Sequence, residues 1–221
     1  MAKNQLLLTS LLSAIARFIG VGLNFLLRIL ITRSMSVAEA GVLFLLMTLS
    51  NGVALLSRLG LEQLLIKEVA ANKLGEEHTA QAFLRKSYLL LLINSFVFIL
   101  LWLLFTPWLQ QQLFHGEIKP DYLFYAAITV LGFNIITINS FYLKGIQRTI
   151  SAILLPNALP AVSFLLLLGI FWGDHVNSQL YIALYIGSLV LASLFSLWLV
   201  RQALYPSNVT HKTPALSNLF K

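Results

Sequence analysis

The sequence predicts an all-α integral membrane protein with six transmembrane helices and both termini on the cytoplasmic side. Three observations predict it. Hydrophobic residues make up 58% of the 221-residue chain and charged residues only 10%, whereas a soluble domain carries about 25% charged residues. The apolar residues fall into six runs joined by mostly short polar connections, each run near the ~20 residues that a bilayer core requires. Lysine and arginine are distributed unequally between the two sets of connections, as the positive-inside rule demands.

The first run, at about 7–32, follows a weakly positive start in "MAKNQLLLTSLLSAIA". Its apolar pattern continues past the length of a signal core with no small-residue cleavage site, which predicts a retained span. The others lie at about 41–66, 86–106, 122–143, 150–172 and 179–200. Short connections predict antiparallel neighbours within one bundle, residues 1–205. The longest, "KEVAANKLGEEHTAQAFLRK", reads as a helical cytoplasmic excursion between spans two and three. Residues 206–221 read as a polar cytoplasmic tail. Within span five, Pro156 and Pro160 each remove a backbone hydrogen bond, which predicts a bend and a candidate conformational hinge.

With the N-terminus inside, the cytoplasmic side holds Lys3, Lys67, Lys73, Arg85, Lys86, Lys144, Arg148, Arg201, Lys212 and Lys221, ten charges against Arg33 and Lys119 outside. The aromatics agree. Trp102, Trp108, Tyr122, Trp172 and Tyr181 fall at the outer boundary, and Tyr88, Tyr142, Trp198 and Tyr205 at the inner one. The +7 formal charge is therefore a property of cytoplasmic loops facing a lipid bilayer, and nucleic acid is not an expected partner. The chain has no cysteine, hence no disulfide framework and no cysteine metal site. No Walker sequence, HExxH or nucleophile elbow occurs, so neither a hydrolytic enzyme nor a cofactor is signalled. The four histidines fall in loops, and the "NVT" at 208–210 falls on the cytoplasmic side, where it would not be glycosylated.

Arg17, Arg28 and Arg58 remain, inside spans, where a guanidinium costs roughly 2.5–3.5 kcal/mol on insertion scales. Arg17, Asn24 and Arg28 are spaced by seven and four and share one helical face. Asn51, Arg58 and Glu62 repeat that spacing on span two, with Ser50 and Ser57 alongside. At about 1.5 Å per residue, Arg17 and Arg58 lie at similar depth, a little over roughly 20 Å below the outer surface. They are expected to share one cavity open to the cytoplasm. Two like charges there repel unless an anion lies between them, and guanidinium suits bidentate phosphate recognition. Arg17, Asn24, Arg28, Asn51, Arg58 and Glu62 are thus candidate ligands for an anionic headgroup. Competing readings are snorkelling for Arg28 and Arg33 and an internal i,i+4 pair for Arg58 and Glu62. Asn134, Thr137 and Asn139 on span four read as interhelical contacts rather than cavity lining. Tyr181, Tyr185 and Ser188 read as interface rather than sugar platform.

"ARFIGVGLNFLLRILITRSMSVAEAGVLFLL" (16–46), "LLSRLGLEQLLIKEVA" (55–70) and "YLKGIQRTISAILLPNALP" (142–160) resemble polysaccharide-export flippases. These are the Wzx-type O-antigen and capsule translocases of the multidrug/oligosaccharidyl-lipid/polysaccharide exporter superfamily. The marks are an arginine ending the first span, a small turn, "E-A-G" opening span two, "G-L" before a basic loop, and "G-x-x-R" after span four. The resemblance implies a bacterial inner-membrane transporter of two six-helix lobes, this chain being the N-terminal one and a second lobe its partner. Its substrate would be an undecaprenyl-diphosphate-linked oligosaccharide, carried from inner to outer leaflet by alternating access. Related lipid-linked peptidoglycan precursor flippases place arginines of the first two spans in the cavity, at places similar to Arg17 and Arg58. Where those relatives have another arginine, this chain has Leu23, with Arg28 further along. Two alternatives stay open. A multidrug/cation antiporter would be expected to bury a carboxylate in this lobe, and Glu62 stands beside Arg58; a non-transporting scaffold has no use for intramembrane arginines.

Overall fold

The computed structural model describes residues 2–71, 77–112, 120–171 and 178–204, with side chains from 7–71, 81–112, 122–171 and 179–204. The loop residues Lys73, His115, Lys119, Trp172 and His175 and the tail from 205 lie outside these, as do the side chains of Lys3 and His78. Eight helices follow in order: α1 (Ala2–Ser34), α2 (Val37–Arg58), α3 (Leu61–Ala71), α4 (Glu77–Gln112), α5 (Pro120–Gly145), α6 (Thr149–Asn157), α7 (Leu159–Ile170) and α8 (Ser178–Leu204). Among the described residues, five stretches are long and apolar enough to cross a bilayer: Leu7–Ser34, Val37–Arg58, Gln81–Gln112, Tyr122–Gly145 and Gln179–Leu204. The pair α6 and α7, bent by 51°, makes a sixth if it is one span. The protein is therefore multi-pass and, among the described residues, all-helical.

Local chemistry explains the turns. Ser36 and Glu39 form a reciprocal capping box: Glu39 N–H donates to Ser36 Oγ at 3.3 Å and Ser36 N–H to Glu39 Oε2 at 3.2 Å. This starts α2 directly after α1. The expected second span, 41–66, is cut short. Leu59 (φ 48°) and Gly60 (φ 80°) are left-handed, end α2 at Arg58, and set α3 apart as its own short helix. Glu62 thus lies on α3 and not on the stripe of α2.

Span five is broken where its prolines predict. Pro156 has no N–H for the carbonyl of Ala152, and the Ser140 hydroxyl of α5 donates to that carbonyl instead, at 2.6 Å. Ser140→Ala is expected to cost about 1 kcal/mol, within the ~0.6–1.7 kcal/mol of measured intramembrane hydrogen bonds. Thermal denaturation in detergent measures this, and an unchanged midpoint would refute the compensation.

Helix α5 is the centre of the bundle, in contact with α2, α3, α4, α6 and α8. Glycines bring neighbours close to it. A Cβ on Gly145 would sit 2.7 Å from Val69 Cγ1 of α3, and one on Gly132 3.2 Å from Leu189 Cβ of α8. The core also claims several residues expected at the membrane boundaries. Trp102, Tyr142 and Tyr181 are buried, and Trp102 Nε1 donates to the Leu123 carbonyl at 3.1 Å. Trp108 and Trp198 are exposed. Tyr88 donates to Asn139 Oδ1, and Asn139 Nδ2 donates to Ser196 Oγ at 2.7 Å, so the interhelical reading of Asn139 holds.

Candidate functional site

Next to their shared turn, α1 and α2 are closed by a plug. Leu27 and Ile31 of α1 and Ala40 and Leu43 of α2 pack with Phe164 and Leu168 of α7 and Tyr181 and Leu184 of α8. Beyond it the two helices part: α1 runs along α6 and α7, while α2 runs along α4 and α5. The reason is at Gly20 and Asn24. Gly20 lets α1 approach so closely that an added Cβ would lie 2.7 Å from Asn157 Cβ. One turn on, Asn24 Nδ2 donates to the Gly20 carbonyl at 2.8 Å and to the Asn157 carbonyl. Asn157 is the last residue of α6, and a carbonyl at a helix end needs a partner from outside the helix. Asn24 pins α1 to the break.

The parting leaves a cleft of about 620 Å³, within the ~300–1,000 Å³ typical of ligand sites. Asn24, Arg28, Asn51, Arg58, Pro156 and Pro160, six of the eight candidate ligand and hinge residues, line it together with Thr48, Phe133, Asn157 and Tyr185. Arg17 and Glu62 do not line it. Arg17 is exposed on α1, on a stretch that docking at Gly20 holds against α6 and α7. The expected sharing of one cavity by Arg17 and Arg58 is therefore replaced by a cavity that holds Arg28 and Arg58.

The two arginines are held differently. Arg58 is 5% exposed and belongs to a hydrogen-bonded network across three helices. Its Nη1 donates to Asn134 Oδ1 of α5 at 3.1 Å, and Asn134 Nδ2 donates to Ser57 Oγ of α2 and Ser95 Oγ of α4, each at 2.7 Å. Its Nε faces Glu62 Oε2 at 3.4 Å, an ion pair without a hydrogen bond. Arg28 is exposed and stacks its guanidinium carbon 5.7 Å from the centroid of the Phe44 ring, a cation–π contact. Among the described residues, no aspartate or glutamate lines the cleft. The charged groups on its walls are therefore Arg28 and Arg58, with Glu62 paired to Arg58 outside the lining.

A family model described as polysaccharide biosynthesis protein matches residues 7–221. The chain belongs to this family. No curated protein and no solved structure shows significant similarity to it. In this polysaccharide biosynthesis protein the cleft brings the arginines and Asn51 beside an aromatic wall, Phe133 and Tyr185, with ring centroids 6.5 Å apart. Tyr185, expected at a helix interface, lines the cleft, as do Phe133 and Asn157, which no sequence motif marks as ligands. The available signal for Asn157 was its place in "LPNALP", between two prolines that orphan nearby carbonyls. Asn134, read as an interhelical contact, proves to be one, and it is also the anchor of Arg58.

Proposed function

We propose that this polysaccharide biosynthesis protein is one lobe of a flippase. Its substrate is an undecaprenyl-diphosphate-linked oligosaccharide, an O-antigen, capsule or exopolysaccharide repeat unit, moved from inner to outer leaflet of the bacterial inner membrane. The observation that carries the reading is the cleft of about 620 Å³ with Arg28 and Arg58 on its walls and, among the described residues, no carboxylate in its lining. That charge suits a diphosphate and opposes the cationic substrates of an antiporter. Phe133 and Tyr185 offer apolar faces for a sugar ring, and Asn51 and Thr48 offer hydrogen bonds to its hydroxyls. With both termini cytoplasmic, Arg17 stands nearer the cytoplasm than the cleft residues of α1 and meets the headgroup first. The break at Pro156 and Pro160 is the hinge for alternating access, and a second six-helix lobe supplies the opposite wall.

The test is binding of a polyprenyl-diphosphate sugar to the purified chain, against the same glycolipid without phosphate. Wild type is expected to prefer the phosphorylated lipid. Arg28→Ala/Arg58→Ala is expected to lose that preference, at least about tenfold, because a hydrogen bond to a charged group is worth about 1.5–3 kcal/mol. Equal binding of both lipids by the wild type would sink the proposal.

A further inference from the structure

The two cleft arginines do not stand at one level. The Arg28 guanidinium lies over Phe44, and Phe44 and Arg58 are fourteen positions apart on the same unbroken helix α2, about 21 Å of rise at 1.5 Å per residue. Arg58 is tied to Asn134 and directed at Glu62, beyond the C-terminal end of α2, while Arg28 is stacked at the opposite end of the cleft. The two phosphates of a diphosphate share one bridging oxygen, a span much shorter than that rise, so the two arginines stand at different depths instead of converging on one phosphate group. Asn51, seven positions from each of Phe44 and Arg58, stands on the same face of α2 midway between them and lines the cleft. A one-site clamp would have no use for such spacing.

Resting on the flippase reading, we propose that the cleft contains two alternative phosphate stations, one at Arg58 and one at Arg28, occupied in turn by the same lipid-linked phosphate group. Arg58 is the station nearer the cytoplasm and Arg28 the one nearer the α1–α2 turn. The cost of an intramembrane phosphate is thereby met at two depths, and the headgroup moves between them by passing Asn51. Each station binds less tightly than a two-arginine clamp would, as a path requires: a group held by both charges at once would be slow to leave.

The experiment is a binding titration of polyprenyl diphosphate to wild type, Arg28→Ala, Arg58→Gln and the double variant. Glutamine at 58 keeps a hydrogen-bonding group near Asn134, and binding of the uncharged polyprenol reports whether each variant is folded. If one lipid uses either station, the association constants of the two single variants add up to the wild-type value, and the double variant binds the diphosphate no better than polyprenol. If both single variants fall more than tenfold below wild type while polyprenol binding holds, both arginines grip one phosphate and the proposal is overturned. One variant binding as wild type and the other not at all likewise leaves a single station and overturns it. Inorganic diphosphate separates the sources: a headgroup site binds the lipid more tightly than the free ion, and the reverse order overturns the lipid assignment. No preference for diphosphate over polyprenol in the wild type defeats the flippase reading itself.

Discussion

Asn134→Leu is expected to lower the stability of the bundle by about 2–4 kcal/mol and to weaken phosphate binding at Arg58 by about tenfold or more. Asn134 is fully buried and makes three side-chain hydrogen bonds, accepting from Arg58 and donating to Ser57 and Ser95. At ~0.6–1.7 kcal/mol for an intramembrane hydrogen bond, their joint loss reaches that range. Leucine is close in volume, so no large cavity adds to it. The remaining groups fare unequally. The Ser57 hydroxyl keeps its bond to the Ala54 carbonyl at 2.9 Å, but Arg58 loses its one hydrogen-bonded anchor and retains only the ion pair with Glu62. Without Asn134 Oδ1 to hold Nη1 on the α5 side, the guanidinium is positioned by its existing ion pair with Glu62 alone and its orientation toward the cleft is lost. Unfolding in mixed micelles measures the stability, and the polyprenyl diphosphate titration measures the binding. Full stability with wild-type binding would show that Glu62 alone positions Arg58.

The same residue shows how far the sequence could be read. Apolar runs and the proline break are properties of local composition and period, and among the described residues five apolar helices and a broken sixth pair are found, with the second run ending at Arg58 rather than at 66. What a stripe faces is not local. Arg17 and Arg28 share a face of α1, and period alone sends both toward α2. The bundle turns that face toward α6 and α7 at Gly20, through a contact between Asn24 and Asn157 separated by 133 positions in the chain. The result keeps Arg28 in the cleft and Arg17 outside it. The end of α2 was legible in principle, since Gly60 follows the last polar member of its stripe as a helix-terminating glycine does. The apolar run continuing through Leu61, Leu64 and Leu65 concealed it. Asn134 carried no periodic signal that distinguished a partner of arginine from any other interhelical amide.

Gly20→Val is expected to destabilise the protein by about 2–4 kcal/mol, while Gly22→Val, two positions away on the same helix, leaves stability within about 0.5 kcal/mol. Both residues are helical glycines in α1, so the change in intrinsic helix propensity is the same for both, and the contrast isolates tertiary contact. A Cβ at 20 meets Asn157 Cβ at 2.7 Å and its backbone carbon at 3.2 Å, whereas a Cβ at 22 meets nothing within 4 Å. The neighbour at 20 is not the far end of a flexible side chain and cannot step aside, so α1 must move away from the break. Overpacking of this kind costs about 1–3 kcal/mol, and the shift also strips the Asn157 carbonyl of the Asn24 amide. Because α1 is one wall of the cleft and carries Arg28, the displacement moves the Arg28 station and spares the Arg58 network, which lies on α2, α4 and α5. Phosphate binding in Gly20→Val should therefore fall to the level of Arg28→Ala and no further. A fall to the level of the double variant would mean that the hinge contact supports the whole cleft, and that α1 and α2 are coupled through the plug at their shared turn.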